Sequence, residues 1–164
     1  MTESYTVSLQ KEQLVFSAAH FITFAGDVCE RLHGHNYGVI ADVTGPLDEN
    51  QYVVDFIALR DGLQNIVSEL DHHMLLPTQH PLIHVERREN EVHVDFRGEK
   101  RWVFPAEDCL LLPIVNTTAE LLARYIGKKL LATLSAIPLT EIRIGVDENN
   151  GQWAWWRAEL TERL

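Results

Sequence analysis

The chain has 164 residues, 46% of them apolar, and a formal net charge of −10. That length supports one domain with its own core, and the apolar content is ordinary for a soluble globular protein. The acidic balance argues against a nucleic-acid surface, which needs clustered Lys and Arg, but leaves room for an anionic small substrate in a locally basic pocket.

No apolar run approaches the roughly 20 residues needed to span a bilayer. The opening MTESYTVSLQKEQ is polar and has no signal-peptide apolar stretch, so a cytoplasmic protein without a membrane partner is expected. Cys29 and Cys109 are too few for a disulfide framework.

In chain order, residues 5–16 read as extended, with Val7, Leu9, Leu14 and Val15 among polar neighbours. Residues 23–32 carry Gly26 and Asp27 and read as a loop that holds Cys29. A second strand covers 36–44 and stops at Gly45-Pro46. The first helix spans 56–70. Phe56, Leu59, Leu63, Ile66, Val67 and Leu70 form its buried face, and Asp55 is its N-cap. The segment 82–104 contains IHVE, EVHVDF and RWVF and reads as an inserted antiparallel meander. A second helix spans 119–134, with Thr117 and Glu120 in the T-x-x-E form of a capping box. Two strands, 141–146 and 152–160, flank the turn-forming DENNG; Trp153 and Trp155 share one face, Ala154 and Trp156 the other. Strands and helices do not alternate as in a parallel α/β fold, so the expected class is α+β with an antiparallel sheet.

Three histidines stand near Cys29, in FSAAH (ending at His20) and CERLHGHNY (His33 and His35). An i, i+2 pair on a strand puts both imidazoles on one face. A third from a neighbouring strand completes the shell of a catalytic zinc, with a position left for water or substrate. Cys29 is placed to act as an acid–base group beside the metal. An H-x-H pair alone is also common among packed strand histidines, so the wider pattern carries the argument.

That pattern is FSAAH, C-x-x-x-HGHNY, VVDF (ending at Phe56), LDHH (ending at His73), NTTAE (ending at Glu120) and VDE (ending at Glu148). In this order it resembles the 6-pyruvoyl and 6-carboxytetrahydropterin synthase family across most of the chain. The resemblance implies a tunnelling fold. Each subunit would give a four-stranded antiparallel sheet backed by two helices, three subunits would close a β-barrel, and two trimers would stack as a homohexamer. It implies zinc held by His20, His33 and His35, and catalysis by Cys29 with the Asp71–His72 pair. It also implies a pterin pocket formed by Glu148, Thr118 and Glu120. The family's substrate is 7,8-dihydroneopterin triphosphate.

The three residues between Cys29 and His33 resemble the spacing of the bacterial 6-carboxytetrahydropterin synthase of queuosine-type deazapurine synthesis. The 6-pyruvoyl enzyme of the biopterin-type pathway is the alternative, and a pterin-binding protein without turnover is the alternative of another class. The branch making 6-hydroxymethylpterin uses a glutamate near this loop. Glu30 is out of its usual register and reads as a solvated residue. Glu120 is equally well a capping residue or a pocket residue. His73 is expected to be packed, Cys109 to be a small apolar residue, and His80, His84 and His93 to be surface groups. Thr117 stands where the family has proline, and the 82–104 insertion lies outside its compact core, as an accessory element.

Overall fold

The computed structural model describes residues 3–160. The elements are β1 (Tyr5–His20), β2 (Thr23–Phe24), β3 (Val28–Cys29), β4 (His33–Gly45), α1 (Phe56–Leu70), β5 (His73–Pro77), β6 (Ile83–Arg88), β7 (Glu91–Phe96), β8 (Glu99–Pro105), β9 (Cys109–Leu112), α2 (Ala119–Thr133), β10 (Glu141–Asp147) and β11 (Trp153–Glu159). The class is α+β, with two helices on a mixed sheet.

The main sheet has six strands in the order β11-β10-β4-β1-β5-β9. Its first four strands are the expected antiparallel set. The expectation of a four-stranded sheet is corrected by β5 and β9, which add to the β1 edge in parallel. Their sequences, HMLLP and CLLL, are short continuous apolar runs with no alternation, so periodicity does not reveal them. β1 is also longer than expected and runs through to His20, while the 23–32 loop contains the small β2–β3 hairpin.

One face of the sheet is covered by α1 and α2. Leu59, Leu63, Ile66, Val67 and Leu70 of α1, and Leu122, Ala123, Ile126 and Leu130 of α2, are buried against Leu14, Phe16, Tyr37, Val39, Ile142 and Ile144. The Asp55 carboxylate accepts from the Ile57 amide at 2.8 Å, the expected cap of α1. Phe56 is not on the buried face: it is 58% exposed. The capping box of α2 does not form. Thr118 occupies the N-cap without a side-chain bond, and the Thr117 hydroxyl donates to the Phe21 carbonyl instead, at 2.7 Å.

Gly127 is fixed by packing. A Cβ there would stand 2.2 Å from the Trp156 ring, which lies on the helix-covered face. Trp153 and Trp155 stack at 5.9 Å on the other face, exposed, with the Arg143 guanidinium over Trp155 at 4.4 Å.

β6, β7 and β8 form the expected meander as a separate three-stranded sheet. It builds a second core in which Ile83, Val92 and Val94 pack with Phe21, Met74 and Leu76. Cys29 and Trp102 border this core, so the meander lies against the Cys29 loop.

Candidate functional site

The β1–β4 register makes the histidine cluster. His20 lies opposite His33, and Ala18 opposite His35. Alternation along β4 keeps His33 and His35 on one face, and the antiparallel pairing brings His20 onto it. Ring nitrogens of all three lie within 4.8 Å of one another.

The second nitrogen of two of these rings is committed to the backbone. His20 Nδ1 donates to the Thr117 carbonyl at 2.9 Å, and His33 Nδ1 donates to the Arg31 carbonyl at 2.9 Å. A carbonyl can only accept, so these contacts fix the Nδ1–H tautomer and leave Nε2 as a lone pair. The two Nε2 atoms face each other at 3.1 Å. Such opposed lone pairs suit a cation between them. Burial pushes His20 down to about 4, which keeps it neutral as a metal ligand must be. The Tyr37 hydroxyl is buried without a hydrogen-bond partner among the described residues. Its ring lies 5.6 Å from His35 and 5.8 Å from His20. Three converging imidazoles, two with backbone-anchored Nδ1–H groups, fit a catalytic zinc.

Glu148 follows β10 and faces this cluster, with Oε1 3.5 Å from His20 Nε2 and 3.9 Å from His35 Nε2. The Asp147 carboxylate organises its loop by accepting from the amides of Asn149, Gly151 and Gln152 at 2.9 to 3.2 Å. Glu148, Thr118 and Glu120 line one cleft of 540 Å³ together with Ile22, Gln152 and Trp153. The three residues expected to contact pterin are thus brought together, and Glu120, free of the capping box, is a wall of this cleft.

Cys29 lies at the end of the β2–β3 hairpin. Burial pushes its thiol up, and the positive charge of Arg101 opposes that. Its neighbour Glu30, expected as a solvated residue, is half-buried. One Glu30 carboxylate oxygen lies 3.8 Å from His33 Nδ1 and accepts from the Ile22 amide at 3.3 Å. Sequence spacing alone gives no sign of this, because the turn of the hairpin decides which of two adjacent side chains faces the histidines.

Asp71 and His72 form the expected pair, His72 Nδ1 standing 2.8 Å from the Asp71 carboxylate. The Ser17 amide donates to Asp71 at 2.7 Å and, with the His72 contact, holds the carboxyl below its usual range. The pair sits on the β5 side of β1, whereas His33 and His35 lie on the β4 side. No hydrogen bond or ion pair joins it to the three histidines among the described residues, and His72 is 82% exposed.

Thr117, Asn116 and His80 brace the segments around the histidine cluster, which their spacing in the sequence does not reveal. Asn116 bonds both the amide and the carbonyl of Thr23, at 3.3 and 3.0 Å. His80 accepts from the Leu82 amide at 3.0 Å, so its other nitrogen donates to the Thr23 hydroxyl at 2.8 Å. His80 is therefore a tether of the hairpin, whereas His84 is exposed and His93 pairs with Glu91 in the meander. His73 is partly buried and donates to the Asp71 carbonyl, in keeping with a packed role.

The family model for 6-pyruvoyl tetrahydropterin synthase matches residues 9–159. A Methanocaldococcus jannaschii protein described as a 6-carboxy-5,6,7,8-tetrahydropterin synthase is 34% identical over 151 residues, covering 90% of this chain and 91% of that one. The 6-pyruvoyl tetrahydropterin synthase structure of Plasmodium falciparum superposes with a TM-score of 0.88 at 30% identity, over 97% of this chain and 100% of that chain. The Plasmodium vivax enzyme, solved with a catalytic glutamate replaced by alanine, gives 0.88 at 25% identity over the same shares. The chain belongs to the 6-pyruvoyl tetrahydropterin synthase family, a family of lyase-type pterin enzymes.

Proposed function

We propose that this protein is a zinc-dependent 6-carboxy-5,6,7,8-tetrahydropterin synthase acting on 7,8-dihydroneopterin triphosphate, in the queuosine-type deazapurine route. One observation carries the reading: three imidazoles converge beside a cleft walled by Glu148, Thr118 and Glu120. The full-length likeness to a protein of that description supports it.

His20, His33 and His35 would hold the zinc, which when bound polarises the side-chain oxygens of the substrate and acidifies the adjacent C–H bonds. Glu148 accepts from the pterin amino group and ring N–H, since both are donors. Thr118 and Glu120 border the ring from the start of α2. Cys29 takes the acidified proton, and Asp71 orients His72 for proton transfer.

The exposed Asp71–His72 pair, apart from the histidine cluster of its own chain, suits a site completed by a second copy. That supports a homohexamer made of two trimers with barrels closed by the sheets. The exposed Trp153 and Trp155 give the sheet an apolar surface to cover. No helix is long and apolar enough to cross a membrane among the described residues, and a cytoplasmic location is part of this reading.

Glu30 favours a second reading. Its carboxylate stands nearer the histidines than a solvated residue would, and a glutamate is described as catalytic in the Plasmodium vivax enzyme. In that case Glu30 takes the proton, and the product is that of the 6-pyruvoyl type or of the glutamate-using branch that makes 6-hydroxymethylpterin. Incubating the zinc-loaded protein with dihydroneopterin triphosphate and identifying the pterin by mass decides between them. A 6-carboxy product supports the first reading, and a 6-pyruvoyl or 6-hydroxymethyl product supports the second. No consumption of the substrate refutes both.

A further inference from the structure

We propose that Arg101, carried by β8 of the meander, is a positioning residue for the Cys29–Glu30 segment. The proposal rests on the reading that this segment supplies the acid–base group. One guanidinium nitrogen of Arg101 donates to both the Cys29 and the Glu30 carbonyls, each at 3.4 Å. Its guanidinium lies over the neighbouring Trp102 ring at 4.7 Å. Trp102 packs in turn on Phe21 at 4.4 Å, next in sequence to His20.

A second tether reaches the other side of Cys29. Arg97, in the β7–β8 turn, pairs with Asp27 at 2.9 Å. Residues 21–30 are therefore held by the meander at Phe21, Asp27 and the Cys29–Glu30 carbonyls. Within the loop itself, the Glu30 amide donates to the Ile22 carbonyl at 2.9 Å. Long, exposed hydrogen bonds of this kind contribute little to global stability. What they do is restrict the direction in which two adjacent side chains leave the backbone. Acid–base chemistry is sensitive to that direction at the scale of an ångström. The positive charge also counters the effect of burial on the Cys29 thiol.

The test compares Arg101→Gln, Arg101→Lys and Arg88→Gln in the full-length zinc protein. Arg88 lies in the same meander but, among the described residues, pairs only with Glu86, at 2.6 Å. Arg101→Gln should keep its zinc, lower kcat for dihydroneopterin triphosphate by about tenfold or more and leave KM within about twofold. Arg101→Lys should recover most of the loss, because a single donor atom serves both carbonyls. Arg88→Gln should match the wild type.

Hydrogen exchange supplies a readout independent of turnover. The Cys29 and Glu30 amides of Arg101→Gln should exchange about tenfold faster than in the wild type, while α1 and α2 are unchanged. Unchanged kcat together with unchanged loop exchange overturns the proposal. If the wild type does not turn over this substrate, the functional reading fails, and loop exchange alone still decides whether Arg101 positions the segment.

Discussion

His20 donates its Nδ1 proton to the Thr117 carbonyl at 2.9 Å, across 97 residues of sequence. This contact ties a β1 histidine to the segment entering α2. It fixes the tautomer that leaves Nε2 free, and so links the histidine cluster to the cleft wall formed by Thr118 and Glu120. The Thr117 hydroxyl adds a bond to the Phe21 carbonyl at 2.7 Å, so one buried residue anchors both sides of the β1 end.

Thr117→Val keeps the shape and the carbonyl but removes the hydroxyl. The buried Phe21 carbonyl then loses that partner, at a cost of about 1–3 kcal/mol. Urea unfolding of the apo-protein should show this loss. Metal affinity should fall as well, by about 10- to 100-fold, since the His20 partner is less firmly held. A variant with wild-type midpoint and affinity would show that the hydroxyl plays no part in either.

Zinc should bind at one ion per subunit. His33→Ala and His35→Ala should each lose it, as measured by metal analysis after dialysis, because two remaining imidazoles do not complete a catalytic shell. Full zinc in both variants would remove the cluster from consideration as the metal site.

The parts of this site that were legible in the sequence are those with a local period. His33 and His35 share a face because a strand alternates. The stripe of α1 follows from helical spacing, apart from Phe56, which lies one turn too early to reach the core. Glu148 and the NTTAE residues were legible through the family pattern, although only the structure shows them lining one cleft. The rest depends on tertiary pairing. β5 and β9 are apolar on both faces and show no period, and the Thr117 and Arg101 contacts join segments far apart in sequence, while the Glu30 contacts to Ile22 and His33 are set by how the β2–β3 hairpin turns. Propensity favoured a capping box at Thr117, but the local bond gave way to a buried carbonyl that needed a donor.

Cys29→Ala should keep its zinc and lose about 10²- to 10⁴-fold in turnover, the usual contribution of a general acid–base group. Glu30→Gln is the matching variant. A larger loss in Glu30→Gln than in Cys29→Ala transfers the role to Glu30 and supports the second functional reading. Loss of zinc from Cys29→Ala would instead make the thiol a ligand.

Glu148→Gln should weaken pterin binding. The change replaces one acceptor with a donor that faces a donor on the ring. An unpaired contact of that kind costs on the order of 1–3 kcal/mol. Calorimetric titration with a non-hydrolysable pterin should give a correspondingly raised Kd, with zinc content unchanged. An unaltered Kd would remove Glu148 from the pterin edge and leave it as a neighbour of the histidine cluster.

Gly127→Ala tests the packing that holds α2 on the sheet. In an exposed helix interior the change would stabilise by up to about 1 kcal/mol, because alanine is the better helix former. Here the new methyl would stand 2.2 and 2.5 Å from two atoms of the Trp156 ring and 3.1 Å from Ile144. A planar indole cannot yield by a rotation of its far end, so either the ring or the helix must shift. Overpacking of this kind costs about 1–3 kcal/mol and outweighs the gain in propensity. Thermal and urea unfolding should show a net loss. Pterin affinity should fall too, because α2 carries Glu120 and its N-cap Thr118 on the cleft wall. Stabilisation by alanine would mean that Trp156 does not pack on the helix at this position.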